Sequence, residues 1–228
     1  MRNIFLVLAL VSISMSYAAT INFTASEINT NWTSLGNPRD GSTGTWSVSG
    51  SENVSPDSGA KISNIVMGDG IFSGTFRTTG SDDDMIGFIF GYQDMDNHYR
   101  FGWDSYDYNG GYADLGGTNG MRVIKEVAGT NYFLAQNSTR WQRNVYYNFS
   151  VTRSSSNFNV KIVRQSDAAV LMDYTGTDSQ FSIGNVGIYT ASQSPVYFSN
   201  ISMNVPEPAT FLMMFGTFLS ILFYKRRF

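Results

Sequence analysis

The chain contains no cysteine and one histidine, and only 14% of its residues are charged. The missing cysteines exclude a disulfide framework, a thiolate metal site and a cysteine nucleophile. Stability must therefore come from the core or from bound ions. The scarcity of Lys and Glu weakens any helical reading, because these residues favour helices. Tyr, Phe, Gly, Ser, Thr and Asn are abundant in their place, and aromatic and β-branched residues favour strands. The formal charge of −3 leaves no basic surplus for a phosphate backbone, so nucleic acid is excluded as a partner.

The two ends read as addresses. Residues 1–19 run from a cationic start at Arg2 through the apolar stretch Ile4–Val11 to small residues around Ser16-Tyr17-Ala18-Ala19. That is the order of a secretory signal, with cleavage by signal peptidase expected after Ala18 or Ala19. Residues 205–228 begin Val205-Pro206-Glu207-Pro208, continue through an apolar stretch from Thr210 to Tyr224, and end in Lys225-Arg226-Arg227-Phe228. The stretch is short for the twenty or so residues that span a bilayer. The terminal basic cluster marks a cytoplasmic side. Pro206-Glu207-Pro208, an apolar helix and Lys225, Arg226 and Arg227 together resemble the PEP-CTERM sorting signal of Gram-negative bacteria. That resemblance implies an exosortase as partner, transient anchoring in the inner membrane, and delivery to the cell surface or an extracellular matrix.

Roughly 185 residues, 20–204, remain for one domain. Strand-like runs recur between turn signals. They are Gly70–Arg77, Met85–Tyr92, His98–Trp103, Met121–Val127, Val186–Tyr189 and Val196–Phe198. The clearest alternation sets Tyr147, Phe149 and Val151 against Asn148, Ser150 and Thr152, and Phe158, Val160 and Ile162 continue it after the turn Ser154–Asn157. A period of two puts the apolar set on one face. Segments 36–44, 49–59 and 106–120 are rich in turn formers and read as loops. The expected fold is an all-β, antiparallel jelly-roll sandwich.

The segment Asp82-Asp83-Asp84-Met85-Ile86-Gly87-Phe88-Ile89-Phe90-Gly91-Tyr92-Gln93-Asp94 is similar to the lectin-like C-terminal domain of thrombospondins. More broadly it resembles the concanavalin A-like (laminin-G-type) jelly roll. The pairs 144–152 with 158–162 and 184–190 with 196–202 resemble that fold's central hairpin and closing strands. The cysteines and calcium-wire repeats of animal thrombospondins are absent, so adhesion to animal matrix receptors is not carried over.

Three adjacent aspartates, Asp82, Asp83 and Asp84, repel one another, and a hard cation relieves that repulsion. Calcium takes six to eight oxygen ligands, which Asp and Asn supply. Asp94, Asp96 and Asn97 at the next turn are expected to add ligands. The bland alternative is a solvated acidic turn. The spacing is not that of an EF-hand. For ligand binding, Trp103, Tyr106, Tyr108 and Tyr112 alternate with Asp104, Asp107 and Asn109. Rings stack on sugar faces while the polar groups take hydroxyls, although Trp103 fits a core position equally well. His98 is expected at a surface or edge position with no catalytic role. Glu27, Glu52, Glu126 and Glu207 are scattered, and the nearest approach to a glycosidase carboxylate pair is Asp104 with Asp107. The reading is a non-enzymatic, calcium-dependent adhesion module for polysaccharide or matrix. The alternatives are a polysaccharide-degrading enzyme of the same fold and a purely structural matrix protein.

Overall fold

The computed structural model describes residues 18–105 and 120–206. Contacts divide the chain into two units, 1–19 with 206–228, and 20–205. In the first unit, Glu207, Pro208, Lys225, Arg226 and Arg227 of the sorting motif lie outside the described residues, and Pro206 ends the last strand. Among the described residues no helix is long and apolar enough to cross a membrane.

The second unit is built from strands. They are β1 (Ala18–Asn22), β2 (Thr33–Leu35), β3 (Ser47–Ser49), β4 (Glu52–Val54), β5 (Gly59–Met67), β6 (Gly70–Thr78), β7 (Met85–Asp94) and β8 (Asn97–Trp103). After the undescribed segment come β9 (Met121–Val127), β10 (Thr130–Asn137), β11 (Tyr147–Ser154), β12 (Asn157–Arg164), β13 (Val170–Thr177), β14 (Gly184–Ala191) and β15 (Val196–Pro206). One antiparallel sheet has eight strands in the order β13-β12-β11-β6-β15-β4-β3, with β1 also on β15. The other has seven, in the order β10-β9-β8-β7-β14-β5-β2.

The alternation of β11 appears as expected: Tyr147, Phe149 and Val151 are buried while Asn148 and Thr152 are exposed. The inner faces meet in an aromatic core. Phe88 of β7 stacks on Phe149 of β11 at 4.5 Å and on Phe101 of β8 at 4.8 Å, and Phe76 of β6 meets Trp103 edge-on. Burying such rings is the dominant favourable term for the fold. The expected sandwich is therefore present, with two differences. Segment 49–59, expected as a loop, contains β4. One short helix, α1 (Ala25–Asn31), precedes β2. Thr24 and Glu27 cap it reciprocally: Glu27 N donates to Thr24 Oγ1, and Thr24 N donates to Glu27 Oε2. The helix buries Ala25 and Ile28.

Candidate functional site

Asp82, Asp83 and Asp84 close the connection from β6 to β7, where the chain passes from one sheet to the other. Each offers a carboxylate oxygen within 4.8 Å of the others. Two fastenings hold the segment: Ser105 N donates to the Asp83 carbonyl at 2.9 Å, and Trp141 Nε1 donates to the Asp84 carbonyl at 3.3 Å. Asp84 is 6% exposed. Burial, followed by the Asp82 and Asp83 charges, pushes its carboxyl up to about 7, and Arg39 offsets only part of this. Crowded, hard oxygen donors whose repulsion is only partly offset fit calcium. The three carboxylates would be its protein anchors, with the remaining positions left to water.

Asp94, Asp96 and Asn97 do not join them. They sit at the opposite end of β7, and ten residues at about 3.3 Å each separate the two ends by about 30 Å. Their polar atoms instead build the β7–β8 turn. Asp94 Oδ1 accepts from Asp96 N and from Asn97 Nδ2, and Asn97 Oδ1 accepts from Ala128 N.

The expected aromatic surface is also revised at its first two members. Trp103 is fully buried, packs edge-on against Tyr147 at 4.7 Å, and donates through Nε1 to the Thr139 carbonyl. It is core because it lies on the same face of β8 as Tyr99 and Phe101. Asp104 is 1% exposed and is bound at 2.6 Å by Arg122 Nη1. Its Oδ1 accepts from Gly120 N, and its own N donates to the Gly120 carbonyl. Burial raises the Asp104 pKa, and Arg122 opposes the rise. Asp104 is thus a clasp joining the two ends of segment 105–120, not a sugar contact. Tyr106, Asp107, Tyr108, Asn109 and Tyr112 lie outside the described residues.

A polar layer absent from the sequence reading lies on the outward face of the seven-stranded sheet. His98 is completely buried rather than at a surface or edge. Arg100 Nη1 donates to His98 Nε2 at 3.0 Å and to Glu126 Oε2, and Arg100 Nη2 donates to Asn131 Oδ1 at 2.7 Å. Because Arg only donates and a carbonyl only accepts, His98 carries its proton on Nδ1, facing the Asp94 carbonyl at 3.3 Å. Burial, then the Arg100 charge, brings its pKa down to about 3. Tyr189 covers two paired glycines beside this layer. A Cβ on Gly87 would stand 2.2 Å from the Phe101 carbonyl oxygen and from the Tyr189 ring, and one on Gly102 would stand 2.9 Å from the Tyr189 hydroxyl. Glu126 pairs with His98 across the ladder, six residues from Asp104 along β8. At about 20 Å apart, these two carboxylates cannot act as a glycosidase pair. The layer was legible as alternation: His98, Arg100, Gly102 and Asp104 interleave with Tyr99, Phe101 and Trp103.

No protein-family model matches the chain, and no curated protein does. Solved structures do. The carbohydrate-binding module CBM66 from Bacillus subtilis superposes with a TM-score of 0.55 at 19% identity, covering 76% of this chain and 95% of its own. Lectin I from Ulex europaeus, in complex with the methyl glycoside of α-L-fucose, gives a TM-score of 0.56 at 12% identity over 82% and 98%. The exoplasmic/lumenal domain of VIP36 in its Ca2+/Man-bound form gives 0.52 at 13% identity over 77% and 83%. The chain thus has the lectin-like jelly-roll fold that these binding proteins share.

Proposed function

We propose that this chain is an exported, surface- or matrix-sorted carbohydrate-binding module in which calcium braces the binding end. The observation that carries the reading is the convergence of Asp82, Asp83 and Asp84 beside Ser105, which opens the segment holding Tyr106, Tyr108 and Tyr112. A cation there neutralises three carboxylates and stiffens the Asp83–Ser105 fastening. The similar structures support a sugar as ligand: one is a carbohydrate-binding module, and another is held with Ca2+ and Man. The N-terminal and PEP-CTERM-like segments supply the route, through signal peptidase and an exosortase.

The test of the metal is thermal unfolding of the full-length chain with millimolar calcium and then with excess chelator. A ligand bound only by the folded state stabilises it by about 2.7 kcal/mol at a hundred times its dissociation constant. The expected result is a melting point several degrees higher in calcium, with no such gain in the Asp83→Ala, Asp84→Ala variant. Equal melting points in both buffers would reduce the aspartates to a solvated turn. Retardation of the wild-type chain in native gels cast with neutral polysaccharides tests the sugar.

A further inference from the structure

The outward face of the eight-stranded sheet carries a second constellation, on the side away from the core. Arg77 of β6 pairs with Tyr197 of β15, and Tyr146 immediately precedes β11, whose Tyr147 pairs with Phe76. These registers place Tyr146, Arg77 and Tyr197 in one row across three neighbouring strands. The Arg77 guanidinium lies 4.0 Å from the Tyr197 ring centre and 5.3 Å from that of Tyr146. Glu52 of β4 fixes it with a 2.7 Å bond to Nη2. The arginine is a wedge that holds both rings in place and carries no net charge with its partner. Tyr146 remains 43% exposed.

Two residues along the same face, Asn148 is also exposed. Its Oδ1 accepts from Thr75 Oγ1 at 2.9 Å and from Gln165 Nε2 at 2.7 Å. Those two bonds orient the amide, leaving Asn148 Nδ2 as a fixed donor and Gln165 Oε1 as a fixed acceptor. The surface therefore combines rings, pre-oriented polar groups and balanced charge. Strand spacing puts Tyr146 and Tyr197 about 10 Å apart, the span of two consecutive pyranose rings.

We infer that this face is a second glycan platform, distinct from the aspartate end, that takes an uncharged polysaccharide chain. Tyr146 stacks on a pyranose face while Asn148 and Gln165 take its hydroxyls. The inference rests on the carbohydrate-binding reading above but uses a different surface. Holding the rings rigid before binding lowers the ordering cost of association.

The test is affinity electrophoresis of the full-length chain in gels containing hydroxyethylcellulose, xylan, β-1,3-glucan or galactomannan, in calcium. Wild type, Tyr146→Ala, Tyr146→Phe, Asn148→Ala and Asp83→Ala are compared, with melting curves to establish folding. The expected pattern is retardation of wild type by at least one polymer. It weakens roughly tenfold in Tyr146→Ala, persists in Tyr146→Phe, and falls in Asn148→Ala. Equal retardation of wild type and Tyr146→Ala, with loss confined to Asp83→Ala, would overturn the platform and leave the aspartate-end reading standing. No retardation of wild type in any gel would overturn both.

Discussion

His98 offers an unusually clean test, because it is the only histidine in the chain and gives one imidazole signal by NMR. Its Nε2 receives a hydrogen from Arg100, and its Nδ1 hydrogen faces the Asp94 carbonyl. Protonation would set a second N–H against the guanidinium. Glu126 Oε2 stands 3.7 Å away but is already engaged by Arg100, and the ring of Tyr92 borders the other side at 6.1 Å. The folded pKa is held near 3, against 6.5 for the free side chain. With the pKa lowered, the unfolded chain binds more protons between these values, so this contribution to stability is present at neutral pH and is lost as pH falls. From pH 7 to pH 5 the loss is about 2 kcal/mol, or roughly 4–8 °C for a domain of this size. Asp84 pulls the other way: its raised pKa makes the metal-free fold gain stability as pH falls through 7. The quantity to compare is thus the melting difference between wild type and His98→Gln, which should shift in favour of the variant by those few degrees between pH 7 and 5. The imidazole signal should stay at its neutral position over the same range. A midpoint near 6.5 with the protein folded would refute the buried, arginine-facing geometry.

The remaining predictions concern other parts of the frame. In chelator, the melting difference between Asp84→Asn and wild type should move in favour of the variant as pH rises from about 4 to 7, because only wild type loses the Asp84 contribution, and the variant should also lose the response to calcium; matched melting series with and without metal would show both. Asp104→Ala takes the carboxylate from fully buried Arg122 and should cost about 3–5 kcal/mol in urea unfolding. A cost below about 1 kcal/mol would mean that the clasp is dispensable. Gly87→Ala drives a methyl into the Phe101 carbonyl and the Tyr189 ring, so a loss of about 1–3 kcal/mol is expected by the same assay.

The strands that alternate cleanly were the legible part of the fold. Tyr147–Val151 and Phe158–Ile162 announce one buried face each, and the structure keeps that register. Strands β5, β10 and β13 were not evident, because β5 is buried on both faces and β10 and β13 carry weak contrast. Helix α1 was hidden by its seven-residue length, although Thr24 and Glu27 were a readable capping pair. At the site, three consecutive aspartates could be read directly, since adjacency in sequence forces adjacency in space. Distance along β7 could not be read until its full ten-residue extent was known, and this is why Asp94, Asp96 and Asn97 were grouped with the wrong end. Trp103 takes the core position that its sequence equally allowed, whereas Asp104 was misplaced because a buried ion pair looks, in sequence, like a polar surface. Only its partner Arg122, eighteen residues further along the chain, distinguishes the two.

The Asp104 clasp bears on how such a domain could change over generations. It joins residues 104 and 120 through backbone and side chain and seats Asp104 on a buried arginine, so the two strands on either side are tied to each other at that point. Lengthening an insert between fixed ends costs only about 0.6 kcal/mol per doubling. A change in the length of the connection between two ends tied in this way is therefore cheap in chain entropy.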